Sequence, residues 1–283
     1  MWRVSREAIS FLGGGRATLL QLAHPVVAQG VAHHSRTQDD LAGRFQRTFA
    51  HVFALVFGER DAALASARRL HAIHTRVSGV HDETAGPFAA GTPYAANDRD
   101  ALRWVWATLT ESSAMLYEAC VAPLDAAARR TYYDDARRFA GLFGLGPDDL
   151  PESWPAFVAY FSDMLASDEL TVGARARELC GFLLTPPRPT LAPAWGWYAV
   201  MTAGLLPARL RDAYGFRWGR RDRALFTSTM ATAQATYRHL PSRARHLPAY
   251  VEAARRVAGD EARRDWLGRL AEQAVTAALR RAT

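Results

Sequence analysis

Two histidines at helical spacing are the first residues in the sequence that suggest chemistry. His71 and His74 lie three apart in "RRLHAIHTRVSG", residues 68–79. His71 lies at the edge of an apolar helix face that His74 shares with Ala63, Ala67, Leu70, Ile73 and Val77. A buried neutral imidazole must satisfy two nitrogens, so His74 is either a hydrogen-bonded core residue or a metal ligand. Spacing alone favours the core residue and leaves the ligand open.

The pair His71 and His74 could contribute to a zinc site, because residues three apart on a helix are neighbours. Two ligands do not make a site, however, and no carboxylate follows at a matching spacing on a partner helix. The Glu-x-x-His pairs of a di-iron bundle and the CxxCH of covalently attached haem are absent. GxGxxG, P-loop and GxSxG motifs are absent as well, which disfavours the nucleotide-binding and hydrolase classes that use them.

Other candidate polar residues lie on two neighbouring predicted helices. His24 is on an apolar face just before Pro25, where a core or kink-stabilising role and a functional role are equally open. Arg44 and Thr48 are spaced i and i+4 and therefore share one flank of their helix, with Arg47 beside them. A flank of this kind is most often solvated. His33 and His34 resemble a solvated helix end.

Composition limits the classes of protein to consider. The chain has 283 residues, and 49% of them are hydrophobic, which is enough for a substantial core. Its 35 basic residues are all arginine and give a net charge of +7. These arginines are interspersed with Asp and Glu and do not form a run, so we do not expect nucleic-acid binding.

The two cysteines and the hydropathy pattern bear on location. Cys120 and Cys180 are each within a helical pattern, which is typical of a reducing compartment without a disulfide framework. The most apolar run, "APAWGWYAVMTAGLLPA", is interrupted by Gly and Pro and is shorter than the ~20 residues that span a bilayer. The N-terminus lacks the pattern of a signal peptide. We therefore expect a cytoplasmic protein without integral membrane insertion.

Helical periodicity dominates the sequence, and strand alternation is nearly absent. The stretch "ALRWVWATLTESSAMLYEACV" predicts a core helix capped by Asp98 or Asp100, and "DDLAGRFQRTFAHVFALVFG" predicts another that ends at Gly58. Pro25 predicts a kink in "RATLLQLAHPVVAQGVAHHS". Further helices are expected near 60–77, 126–143, 155–166, 172–184, 196–213 and 220–238, followed by an Arg-rich pair.

The longest predicted loop is "VHDETAGPFAAGTPYAAND", which is rich in Gly, Pro and Asp. No internal repeat and no obvious linker divides the chain. The sequence therefore predicts one all-α domain over residues 1–283.

Five blocks, in this order, carry a family resemblance: "LLQLAHPVVAQGVAHHS", "RFQRTFAHVFALVFG", "LHAIHTRVSGV", "GTPYAANDRDALRWVWATLTES" and "TAGLLPARLRDAYGFRW". Together they resemble the MpaB-type oxygenase family, whose catalytic domain is shared with the rubber oxygenases. The resemblance is strongest over residues 1–240. It implies an all-helical, globin-like bundle that holds haem b non-covalently through one proximal histidine, with dioxygen bound on the other side.

The resemblance also suggests roles for particular residues. His74 in "HTRV" matches the proximal histidine, and "RFQRT" matches a distal Arg-x-x-Lys-Thr cluster. Arg44, Arg47 and Thr48 then become candidate donors to dioxygen or to a haem propionate. This chain departs from the family pattern in having Arg47 at the lysine position and Ser78 at the position of an arginine in the proximal motif.

A third departure lies in "WVWATL", where many family members resemble "WVHATL" and Trp106 replaces the histidine. His74 is the preferred axial ligand because its helix matches the proximal pattern, and His24 is the reserve candidate. Haem also requires apolar walls between helices. The residues expected to form these walls are Phe45, Phe49, Phe53, Trp104 and Trp106.

The leading hypothesis is a haem-b oxygenase that uses dioxygen to oxidise or oxidatively cleave an apolar small molecule. The alternative is a helical sensor or binding protein that holds haem or a hydrophobic ligand without turnover. A third hypothesis is a metal-free helical adaptor or nucleic-acid binder that uses the basic C-terminal segment. The substrate and the oligomeric state are not predicted.

Overall fold

Helices form most of the backbone, as the sequence periodicity predicts. The structure, a computed structural model, describes residues 1–34 and 51–260. The candidate residues Arg44, Phe45, Arg47, Thr48 and Phe49 lie outside the described residues.

The N-terminal part consists of short helices that lead into one side of the core. The helices are α1 (Trp2–Ser5), α2 (Gly14–Leu22), α3 (Pro25–His34), α4 (helical over the described residues 51–57) and α5 (Arg60–His74). A 3₁₀ segment over Ala8–Gly13 joins α1 to α2. The kink expected at Pro25 is a complete break between α2 and α3, because Pro25 lacks the N–H that a continuous helix needs.

A two-stranded antiparallel hairpin interrupts the helices. Strand β1 (Ser78–Val80) pairs with β2 (Pro93–Ala95), with Gly79 opposite Tyr94. The sequence predicts only a loop here. Strands of three residues are too short to show alternation, so their pairing depends on contacts that a local pattern does not reveal.

The longest helix is α6 (Arg99–Cys120), and Asp98 caps it by accepting a hydrogen bond from the Ala101 backbone N–H at 2.9 Å. The helices that follow are α7 (Ala126–Gly141), α8 (Trp154–Ala166), α9 (Ala174–Leu184), α10 (Ala192–Leu205), α11 (Ala208–Ala213), α12 (Arg220–Thr236), α13 (Ser242–Arg245) and α14 (Pro248–Val257). The short helices expected near 196–213 are α10 and α11, which are separated at Pro207.

The main core lies around α6, which contacts α2, α7 and α12. Trp104 and Trp106 are fully buried in it, together with Phe157 of α8. Each indole also donates a hydrogen bond to a backbone carbonyl of another helix, since a buried N–H needs an acceptor. An all-α fold is thus confirmed.

The first residues of the chain are tied to its C-terminal part. Glu7 is fully buried, with its carboxylate 3.1 Å from Nη2 of Arg245 and 3.3 Å from the hydroxyl of Tyr237. The backbone N–H of Leu247 donates to the carbonyl of Arg6 at 2.8 Å. Segments more than 200 residues apart therefore share one buried polar network.

The inward face predicted for α5 is only partly observed. The helix ends at His74 instead of continuing to Val77, and Ile73 is 47% exposed. The buried positions of α5 are Ala63 and Ser66, whereas Leu70 and His74 are half-buried. The predicted stripe included Ile73 because spacing alone does not show how far a neighbouring element extends.

Candidate functional site

His74 is the last residue of α5, where the chain turns toward the hairpin. Burial chiefly, and the neighbouring His71 to a smaller extent, lower the pKa of His74, so the ring is neutral near pH 7. Neither ring nitrogen hydrogen-bonds to another residue in the described ranges 1–34 and 51–260. A neutral imidazole with an uncommitted lone pair is the form that binds a metal.

His71 differs from His74 in its exposure to solvent. It is exposed, although it lies one turn earlier on the same helix. Across the described part of the chain, no group of three or more His, Cys, Asp or Glu residues is arranged to hold a metal ion. A haem iron held by one axial histidine needs no such group, because the porphyrin supplies four of its ligands.

The helix that carries His74 is joined to α4 through one polar contact. Nδ1 of His51 lies 2.8 Å from the hydroxyl of Ser66, on the buried side of α5. His51 follows Thr48 by three residues in the sequence. The contact holds the start of the described part of α4 against α5.

His24, the reserve ligand candidate, is in a different environment. Its side chain is 1% exposed, and both ring nitrogens lack a hydrogen-bond partner within the described part of the chain. The ring centroid lies 5.4 Å from that of Phe88. Burial lowers the pKa of His24 to about 4, and the nearby carboxylates of Asp98 and Asp100 oppose this shift to a smaller extent.

His81 is a buried histidine that the sequence does not single out. It follows β1 directly, is 2% exposed, and also has two ring nitrogens without a partner. Its ring stacks on Phe88 with a centroid distance of 5.4 Å and approaches Tyr94 at 5.5 Å. Burial lowers its pKa as well. The local sequence pattern does not indicate that His81 is buried, because the residues that bury it lie outside β1 and its immediate neighbours.

A polar network fixes the hairpin next to His81. Asp82 accepts hydrogen bonds from Arg175 at 2.8 Å, from Gln29 at 2.5 Å and from Nε2 of His33 at 3.2 Å. Burial raises the pKa of Asp82, but these hydrogen bonds outweigh it and lower the pKa below its usual range. Glu83 accepts from two backbone N–H groups at the start of α9. His33 is solvent-exposed, as expected for a helix end, and it also takes part in this network because the hairpin lies next to the end of α3.

Trp106 lies on α6 and contacts the helices behind it. Its indole N–H donates to the carbonyl of Ala136 on α7 at 2.8 Å, and its ring packs edge-on against Phe157 at 5.4 Å. Tyr133 is 6.0 Å away. The predicted role of Trp106 as a haem wall stays a prediction. Phe53 lies elsewhere, on α4 next to Phe57.

The family model described as "ER-bound oxygenase mpaB/B'/Rubber oxygenase, catalytic domain" matches residues 2–235. The chain belongs to this family. The MpaB/rubber oxygenase match includes His24, His74, His81 and Trp106 and confirms the resemblance carried by the five sequence blocks. The chain thus has the catalytic domain of an oxygenase family.

Comparison with curated proteins and with solved structures gives no match. The MpaB/rubber oxygenase match reaches into α12 and stops before α13 and α14. In residues 1–34 and 51–260, no helix has the length and apolar character needed to cross a membrane.

Proposed function

We propose that this member of the MpaB/rubber oxygenase family is a haem-b-dependent oxygenase that oxidises, or oxidatively cleaves, an apolar organic substrate. His74 would be the axial ligand of the haem iron. The observation that carries the proposal is the state of this residue: a half-buried, neutral imidazole with no hydrogen bond to a described residue, at the end of a helix.

The donor set fits a haem iron better than it fits a zinc ion. Zinc in a structural site takes four protein ligands and in a catalytic site usually three. Haem iron requires only one or two, because the porphyrin supplies the others. The half-buried imidazole of His74, whose helical neighbour His71 is exposed to solvent, could serve as such a ligand without further protein ligands.

When bound, the haem supplies the redox chemistry with dioxygen, and the protein supplies position and polarity. His74 would hold the iron, and the contact between His51 and Ser66 would keep α4 at a fixed distance from the proximal helix. Arg44, Arg47 and Thr48, which precede His51 in the sequence, would supply hydrogen-bond donors to a propionate or to a polar group of the substrate.

The experiment compares His74→Ala with His71→Ala, both expressed with a haem precursor and characterised by iron content and visible spectrum. We expect wild type and His71→Ala to show the same Soret band, and His74→Ala to lose it or to show it clearly shifted. His71 is a matched control because it is on the same helix but exposed. An unchanged band in His74→Ala would contradict the ligand assignment, and colourless wild-type protein would contradict haem binding.

Activity is tested separately, by dioxygen consumption with an alkene and with its saturated analogue. The oxygenase proposal predicts consumption with the alkene that depends on His74. A Soret band without consumption for any alkene, terpenoid or aromatic compound would instead indicate a non-catalytic haem-binding protein.

A further inference from the structure

A cavity of about 120 Å³ lies between α2, α4 and α6. It involves a different face of α4 from the one on which His51 contacts α5. Its walls are mainly apolar, and the apolar residues that line it include Ala17, Val52, Phe53, Val56, Leu109 and Phe139.

A buried polar group in this apolar lining has no partner among the described residues. Thr110 of α6 lines the cavity, is 2% exposed, and its hydroxyl oxygen makes no hydrogen bond to residues 1–34 or 51–260. A threonine in a helix commonly donates to the carbonyl four residues earlier, but the Thr110 hydroxyl does not. A buried hydroxyl without a partner is costly, so such a group in a folded protein calls for an acceptor or donor that completes it.

Neighbouring polar groups of the cavity are already in use. The hydroxyl of Ser10 donates to the carbonyl of Glu7 at 2.8 Å, and the hydroxyl of Ser112 accepts from Nη1 of Arg16 at 2.5 Å. The carbonyl of Thr110 itself accepts from the hydroxyl of Tyr132 at 2.7 Å. These groups therefore do not satisfy the Thr110 hydroxyl.

We propose that this cavity binds a small apolar molecule, or the end of a longer one, that carries one hydroxyl or carbonyl oxygen toward Thr110. In another protein, an engineered apolar cavity of about 150 Å³ binds benzene, so the space suits a group no larger than a six-membered ring. The apolar walls supply affinity, and the single hydroxyl sets the orientation of the ligand. The proposal does not depend on haem, because no residue of this site is the proposed iron ligand.

The experiment uses benzene and phenol as probes, which share a ring and differ by one hydroxyl. Wild-type protein is titrated with each by calorimetry and by ligand-observed NMR. We expect both to bind at one site. In Thr110→Val, which keeps the shape of the side chain, phenol should bind about five- to tenfold more weakly, whereas benzene should change by less than about twofold.

A second pair of variants tests the location. Ala17→Leu adds a larger apolar side chain in the cavity and should abolish binding of both probes. Ala127→Leu on the exposed surface of α7 makes the same chemical change and should leave both affinities unchanged. Circular dichroism establishes that each variant is folded.

The proposal is overturned if wild type shows no saturable binding of either probe at millimolar concentration, or if Ala17→Leu binds both as wild type does. Equal weakening of phenol and benzene in Thr110→Val would overturn the assigned role of the hydroxyl. Because none of these measurements requires haem, failure here and failure of the proposed oxygenase activity are distinguished.

Discussion

His24 and His81 pack against the same side chain, the phenyl ring of Phe88, each with a centroid distance of 5.4 Å. All four of their ring nitrogens are buried without a hydrogen-bond partner among the described residues. A proton added to either ring would place a positive charge in a buried site, and nearby carboxylates offset only part of that cost. The pair is therefore expected to make the folded state sensitive to acid.

The first prediction concerns the pH dependence of stability. Burial lowers the pKa of His24 from 6.5 to about 4, so the unfolded chain binds more protons than the folded one between these values. Stability should be constant above about pH 7 and should fall as the pH decreases from about 6.5 to 4, with His24 alone contributing a loss of roughly 3 kcal/mol. Denaturant titrations at several pH values between 4 and 7 measure this loss of stability.

The matching variant is His24→Leu, which removes the titrating group and both unpaired nitrogens. It should fold at pH 7 and show a smaller loss of stability than wild type between pH 7 and pH 4. An identical loss in the variant would show that the acid sensitivity arises elsewhere.

The second prediction concerns the buried carboxylate of Glu7. Glu7→Ala leaves Arg245 without its buried partner and should lower the free energy of unfolding by about 3–5 kcal/mol. Glu59→Ala is the control, since Glu59 is 69% exposed and lies 3.6 Å from Arg256. That change should cost at most about 1 kcal/mol. Similar losses in the two variants, measured by urea denaturation, would contradict the importance assigned to burial.

The third prediction concerns two glycines of α10. A β-carbon on Gly204 would overlap the ring of Phe226 on α12, so Gly204→Ala should destabilise the protein by about 1–3 kcal/mol. A β-carbon on Gly196 meets no atom within 4 Å, so Gly196→Ala should be neutral or stabilising by up to about 1 kcal/mol. Thermal unfolding of both variants measures the difference, and a lower stability for Gly196→Ala would be the unexpected result.

The fourth prediction concerns Trp106. Trp106→Phe removes the hydrogen bond to Ala136 from a fully buried site and should cost about 1–3 kcal/mol. Trp197→Phe is the control, because Trp197 is 40% exposed and should tolerate the change with a loss below about 1 kcal/mol. The Soret band of Trp106→Phe provides a second measurement, since a shift relative to wild type would support the predicted contact of Trp106 with haem.

The sequence predicts the helices well where one face is continuously apolar. The whole of α6 follows from its periodicity and from its cap at Asp98, because these signals are local. Helix α5 is predicted less well, since the exposure of Ile73 depends on which neighbours cover that face. Whether a side chain at such a position is buried depends on tertiary packing, which the spacing of residues in the sequence does not reveal.

The candidate site is predictable to the extent that it rests on motifs. His74 follows from its helix and from the family resemblance, whereas His81 lies in a segment that predicts only a loop. His81 packs against Phe88, from the segment that connects the two strands, and against Tyr94 of β2. Haem binding, the substrate, the roles of Arg44, Arg47 and Thr48, and a cytoplasmic location stay predictions.

The family match stops at residue 235, but the partners of Glu7 lie further along the chain, at Tyr237 and Arg245. Leu247 and Ala253 likewise cover Phe57 at the end of α4. An expression fragment trimmed to the matched region would retain a buried anion while losing its main counter-ion, and it would uncover an aromatic ring. The segment that we expect to fold cooperatively is therefore longer than residues 2–235, the part of the chain that matches the family model.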